Sequence, residues 1–184
     1  MFASPGPIFE PEGRAPDYWR FARALFAAGF REGDLVHNCF SYHFTPGGSM
    51  VEQCALALGC TVFPGGVGQT EQQLQVIAEL APDGYAGTPS FLQIILERAD
   101  AAAVPVHSPR KALVSGEAFP PALRDALLAR GIAGSQMYGT ADLGAMTSPE
   151  RRLMRSGDNE PPASGVAACK VPRTRYGEHA FQFL

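Results

Sequence analysis

The chain has 184 residues, 46% of them hydrophobic, which is enough apolar content for one domain with a real core. Its 15 basic and 18 acidic side chains leave a net charge of -3, so no basic field exists to hold nucleic acid. Apolar runs are broken by charge, glycine or proline well short of the ~20 residues of a membrane span, and Met1-Phe2-Ala3-Ser4 lacks the basic start of a signal peptide, so a cytoplasmic protein without a membrane partner is expected.

In chain order, residues 1–16 read as an N-terminal remnant or linker, rich in Pro, Glu and Gly after Phe9. Asp17 is placed to cap a helix whose apolar positions Tyr18, Phe21, Ala22, Leu25 and Phe26 keep helical spacing, with Gly29 as its stop. Asp34–Phe40 reads as a strand. It runs into the aromatic segment Tyr42-His43-Phe44 and a second helix ending near Leu58-Gly59. Cys60–Pro64 is a short strand followed by the loop Gly65–Gly68. Thr70 with Gln73 forms a capping box for a helix to about Leu80.

The alternation continues with Gly84–Gly87 as a strand, Thr88 as cap and Pro89 as the first residue of the next helix. Lys111–Ser115 is another strand ending on Gly116-Glu117. Pro121–Arg130 is helical with Gly131 as its stop, and Gly134–Tyr138 is a further strand. Strands alternating with helices of this length predict an α/β core at residues 17–148, a mainly parallel sheet flanked by helices on both faces. Residues 149–184 lose all period and read as a poorly structured or divergent tail.

Four cysteines, Cys39, Cys54, Cys60 and Cys169, are irregularly spaced with no C-x-x-C pair, which points to reduced thiols. His37 and Cys39 share one face of a strand, as the start of a metal site would, but two buried core residues are the commoner meaning of that pattern.

The stretch Gln136–Gly144 breaks on a glycine at the carboxyl end of the last strand, where ligands of open parallel sheets sit. Tyr138 offers a ring face to a base, Thr140 a hydroxyl to a phosphate oxygen, and Asp142 a carboxylate to a hard cation. An ordinary strand-to-loop turn with Tyr138 in the core accounts for the same residues equally well.

Together, the runs His37–His43, Leu58–Pro64 with Gly68–Glu71, Gly87–Phe91, Ser115-Gly116-Glu117 and Tyr138–Asp142 resemble, in order, the motifs of the phenylacetate–coenzyme A ligase family. That family belongs to the adenylate-forming, AMP-binding acyl-CoA synthetases. The resemblance covers about residues 9–144 and implies part of the large N-terminal domain of such an enzyme.

It also implies an acid–thiol ligase that activates a small carboxylic acid, an aryl acid such as phenylacetate, with ATP and Mg2+ to an acyl-adenylate and passes the acyl group to coenzyme A. On this resemblance Gly116 and Glu117 line the adenine, Tyr138 stacks on it, Thr140 meets the nucleotide phosphates, and Gly139 between them is cofactor-binding as well. Asp142 stands where the family has a metal-holding glutamate. Tyr42, His43 and Phe44 border the acyl pocket, and Thr88 and Pro89 face the acyl group. Thr140 and His43 are then the catalytic candidates, and a homodimer is left open.

Two departures accompany the resemblance. Where a Ser, Thr and Gly-rich phosphate loop is expected stands Ser4-Pro5-Gly6-Pro7, whose prolines remove backbone donors. The family's hinge and small C-terminal domain lie beyond the Tyr138 motif. The expectation is therefore a fragment that does not complete turnover, with a non-catalytic nucleotide- or acyl-binding module of the same fold as the alternative.

Overall fold

The computed structural model describes residues 2–4, 8–10, 12–140 and 144–147, excepting the side chains of 2–4, 8–10, 140 and 145–147. The tail and Asp142 lie outside the described residues, as do Pro5, Gly6 and Pro7. The elements in order are β1 (Phe2–Ser4), β2 (Ile8–Glu10), α1 (Ala22–Ala27), β3 (Leu35–Asn38), α2 (Gly47–Ala57), β4 (Thr61–Pro64) and α3 (Thr70–Leu80). They continue with β5 (Gly84–Gly87), α4 (Pro89–Ala101), β6 (Lys111–Val114), α5 (Pro121–Ala129), β7 (Ala133–Gln136), β8 (Tyr138–Thr140) and β9 (Gly144–Thr147). Among the described residues no helix is long and apolar enough to cross a membrane.

The expected sheet is present: β4-β3-β5-β6-β7, five strands, with every neighbouring pair parallel. The sheet begins in β3, adds β4 on one side, and then crosses to the other side for β5, β6 and β7. The order therefore reverses between β3 and β5, and such a switch opens a crevice beyond the carboxyl ends of the strands. The inner strands are buried on both faces, as a covered parallel sheet requires, whereas the edge strands β4 and β7 are exposed at both ends.

Alternation along the strands divides the core in two. Val36, Ala86 and Leu113 face a cluster with Leu25 of α1 and Met50, Val51 and Cys54 of α2. Tyr85, Ala112 and Val114 face the other way, against Ile77 of α3, Leu92 and Ile95 of α4 and Leu127 of α5. Leu25, Leu92 and Ile95 have no exposed surface, and each such burial contributes about 2 kcal/mol.

Three local expectations are corrected. The first helix starts at Ala22 and not at Tyr18, because Asp17 and Arg20 take left-handed backbone at φ 53° and 61°. Asp17 still serves it from a distance, its Oδ1 accepting from the Ala22 N–H at 2.9 Å. The capping box at Thr70 does not form: Gln69 is the N-cap, without a side-chain bond, and Gln73 turns to partners in the interior.

Finally, the last strand of the sheet ends at Gln136, and Tyr138 opens β8, which pairs antiparallel with β9 outside the main sheet. Gly139 fixes that hairpin against the core, since a Cβ there would stand 2.7 Å from the Phe21 ring and 2.9 Å from the Gly144 carbonyl.

Candidate functional site

A cavity of about 500 Å³ lies over the carboxyl edge of the sheet. It draws on the segments that follow all five strands: Cys39-Phe40-Ser41 after β3, Val67-Gly68 after β4, Thr88 with Ser90 and Phe91 after β5, Ser115-Gly116-Glu117 after β6, and Met137 with Gly139 after β7. Met50 and Val51 of α2 and Ile94 of α4 close its apolar wall. Such a chamber, apolar with a few polar groups converging on it, is the usual form of a small-molecule site.

The polar groups are placed by local structure. Thr88 is the N-cap of α4, its hydroxyl accepting from the Phe91 N–H at 3.4 Å, and Pro89 supplies the preset first turn. The Glu117 Oε1 accepts from the Ser90 N–H at 2.6 Å, which sets a carboxylate on the positive end of α4. Gly116, at φ 90°, makes the turn that brings Glu117 there.

Of the residues expected from sequence, Thr88, Gly116, Glu117 and Gly139 line this cavity together. Tyr42, His43 and Phe44 do not. The Tyr42 phenol accepts from Asn38 Nδ2 at 2.7 Å, and burial, with the Glu52 carboxylate beside it, pushes its pKa upward. His43 is exposed and held by its backbone N–H to Ser41 Oγ at 3.1 Å, and Phe44 is 83% exposed in left-handed backbone. Pro89 and Tyr138 also stand outside the lining. Thr140 ends β8, and Asp142 lies beyond the described residues.

Sequence reasoning missed the apolar lining, namely Cys39, Phe40, Met50, Phe91, Ile94 and Met137, because periodic apolar residues read as core. The available signal was position: Phe91 and Ile94 sit at i and i+3 in the first turns of a helix that starts at the carboxyl end of a central strand. Burial raises the Cys39 thiol pKa, so it offers the cavity a neutral apolar surface and no thiolate. Among the described residues no three His, Cys, Asp or Glu side chains cluster as metal ligands.

A parallel sheet with a topological switch and a ligand-sized chamber over its carboxyl edge defines an α/β small-molecule-binding domain. The chain belongs to the AMP-binding enzyme family, whose model matches residues 17–174, past the Gly144 at which the motif resemblance stops.

It is similar to the phenylacetate-coenzyme A ligase of Aromatoleum evansii, 35% identical over 125 residues that cover 66% of this chain and 28% of that one. The same enzyme of Thermus thermophilus is 41% identical over 76 residues, 41% of this chain and 17% of that one. The chain therefore spans under a third of the length of these curated relatives. Among solved structures, a 2-hydroxyisobutyryl-CoA ligase in complex with 2-HIB-AMP and CoA shares the fold with a TM-score of 0.69 at 23% identity, covering 78% of this chain and 32% of that one. An anthranilate CoA ligase in complex with anthranoyl-AMP does so with a TM-score of 0.56 at 23% identity, over 67% and 25% of the two chains.

Proposed function

We propose that this chain supplies the acyl-binding side of an acyl-CoA ligase that activates an apolar carboxylic acid, of the aryl type, with ATP before transfer to coenzyme A. The observation that carries the reading is the cavity at the switch point, walled by Phe40, Met50, Phe91 and Ile94 and edged by Thr88, Ser115 and Glu117. Its volume of about 500 Å³, against about 150 Å³ for a cavity that takes benzene, leaves room for an aryl acid together with part of an adenylate. The polar edge at Ser115–Glu117 is where an acyl carboxylate and a nucleotide would meet. Relatives named as phenylacetate-coenzyme A ligases support the aryl choice.

Attack of a carboxylate on the α-phosphate of ATP, with pyrophosphate leaving, requires positive charge where two anions approach. Among the described residues no lysine or arginine lines the cavity. That observation favours a second reading, a binding module that holds the acyl group without turning it over. In the first reading Thr140 and the metal-holding Asp142 complete the nucleotide side, and His43 is the second catalytic candidate.

Calorimetric titration with phenylacetate, ATP and a non-hydrolysable phenylacetyl-adenosine sulfamate tests the site. Binding of the sulfamate tighter than of either part is expected, and no binding of any of the three overturns the reading. ATP–pyrophosphate exchange dependent on phenylacetate separates the ligase from the binding module.

A further inference from the structure

Gln73 is 2% exposed and His37 is fully buried, yet neither belongs to the cavity lining. They are joined by a 2.6 Å hydrogen bond between His37 Nε2 and Gln73 Oε1. The other end of the Gln73 amide decides the direction of that bond. Its Nε2 lies 2.9 Å from the Gly65 carbonyl, 3.3 Å from that of Gly66 and 3.2 Å from that of Gly68, so it is the donor end. Oε1 is therefore the acceptor, and His37 carries its proton on Nε2. The Cys39 thiol also donates to Gln73 Oε1, at 3.8 Å.

One amide thus gathers three carbonyls of a single glycine-rich turn, which keep it from flipping, while the buried histidine holds its oxygen end. Packing agrees independently. A Cβ on Gly65 would stand 2.5 Å from Gln73 Oε1 and 2.7 Å from His37 Nε2, so the loop approaches the pair as closely as glycine allows. The loop then reaches the cavity: Val67 and Gly68 form part of its wall, and Val67 remains 57% exposed at the rim. It is also anchored by backbone bonds from Gly66 N–H to the Asn38 carbonyl and from Gly65 N–H to the Phe63 carbonyl, both 3.0 Å.

We propose that Gln73, oriented by His37, is a positioning residue that holds the Gly65–Gly68 loop as a fixed wall of the acyl cavity and thereby limits the size of the acid admitted. The size-limiting part rests on the function proposed above. The loop-holding part does not.

The test uses Gln73→Leu, which removes both ends of the amide, Gln73→Glu, which keeps an acceptor for His37 and loses the donor, and Gly65→Ala, which disturbs the contact from the loop side. Amide hydrogen exchange should quicken by about tenfold at 65–68 in each variant, the change in a local opening equilibrium expected from one lost buried hydrogen bond. Amides of β5 and β6 should keep their wild-type rates. In parallel, the ratio of dissociation constants for phenylacetate and the bulkier naphthylacetate should move toward the bulkier acid by about tenfold.

Loop amides that exchange at wild-type rates in a folded variant overturn the loop-holding role, as does exchange that rises alike across the sheet. A loosened loop with unchanged acid preference overturns the size-limiting role. Wild-type protein that binds neither acid overturns the proposed function and the size limit with it, while exchange still decides whether Gln73 holds the loop.

Discussion

The carboxylate of Glu117, which follows β6, accepts from the backbone N–H of Ser90 in the first turn of α4 at 2.6 Å. Residues 27 positions apart are thereby joined at the cavity edge, and one side chain both ends a strand loop and satisfies a helix terminus. Glu117→Ala should lower stability by about 1 kcal/mol, the usual cost of a lost helix cap. Glu117→Gln retains an acceptor and should lose less than half of that. Wild-type stability of Glu117→Ala in urea denaturation would show that Glu117 does not support α4.

Lys111 opens β6 and reaches back to Asp34, with Nζ 2.6 Å from Oδ2 and 3.1 Å from the Gly29 carbonyl. Both side chains are largely covered, at 19% and 15% exposed, so neither partner regains full hydration when the other is removed. Lys111→Met should cost about 2 kcal/mol, between the values for exposed and fully buried pairs. The exposed Arg98–Glu71 pair, at 48% and 65%, is the control, and Arg98→Ala should change stability by no more than about 0.5 kcal/mol.

Burial holds the His37 pKa below its ordinary 6.5, against a smaller opposing effect of the Gln73 bond. The groups facing it are Gln73, Cys39, Phe63 and Tyr85, none of them a carboxylate. As pH falls through 6.5 the unfolded chain takes up the proton first, so stability declines until pH passes the lower folded-state value. The slope from this one group is at most about 1.4 kcal/mol per pH unit. Urea midpoints from about pH 8 to about pH 5 should fall in the wild type and fall less in His37→Gln. Parallel curves for the two proteins would remove His37 as the cause.

Asp142→Asn keeps the side-chain shape and removes the charge. If Asp142 holds the metal of a bound nucleotide, the variant should weaken ATP binding in the presence of Mg2+, leave binding in its absence alone, and keep the melting temperature. A loss of about 1–3 kcal/mol in stability with unaltered ATP affinity would assign the carboxylate a structural partner instead.

The parts of the fold legible in the sequence are those specified by neighbouring residues. Thr88 and Pro89 start α4 through their own hydroxyl and ring, and Gly131 follows α5 at φ 81°. The parts that were not legible depend on distant partners or on backbone that leaves no periodic trace. Asp17 and Arg20 shorten α1 by turning left-handed. Gln73 has the spacing of a capping residue, but the stronger attraction of a buried histidine and three carbonyls takes its amide away from Thr70.

The same division holds at the site. Gly116 and Glu117 were visible as a turn after a strand, and the structure puts them on the cavity. Tyr42 had the right composition for a pocket, yet Asn38, four residues earlier at the end of β3, captures its phenol.

The edge strands also bear on self-association. β4 and β7 are four residues each, β4 ends on Pro64, and β7 carries Gly134 near its middle. A flat, long, unpaired edge is a template for adding a strand from another chain, and these edges are short and interrupted. Sheet extension between copies would therefore gain few backbone bonds. A dimer of this chain that leaves the five-stranded sheet unextended would rest on contacts elsewhere, and its strength would be indifferent to changes along Thr61–Pro64 or Ala133–Gln136.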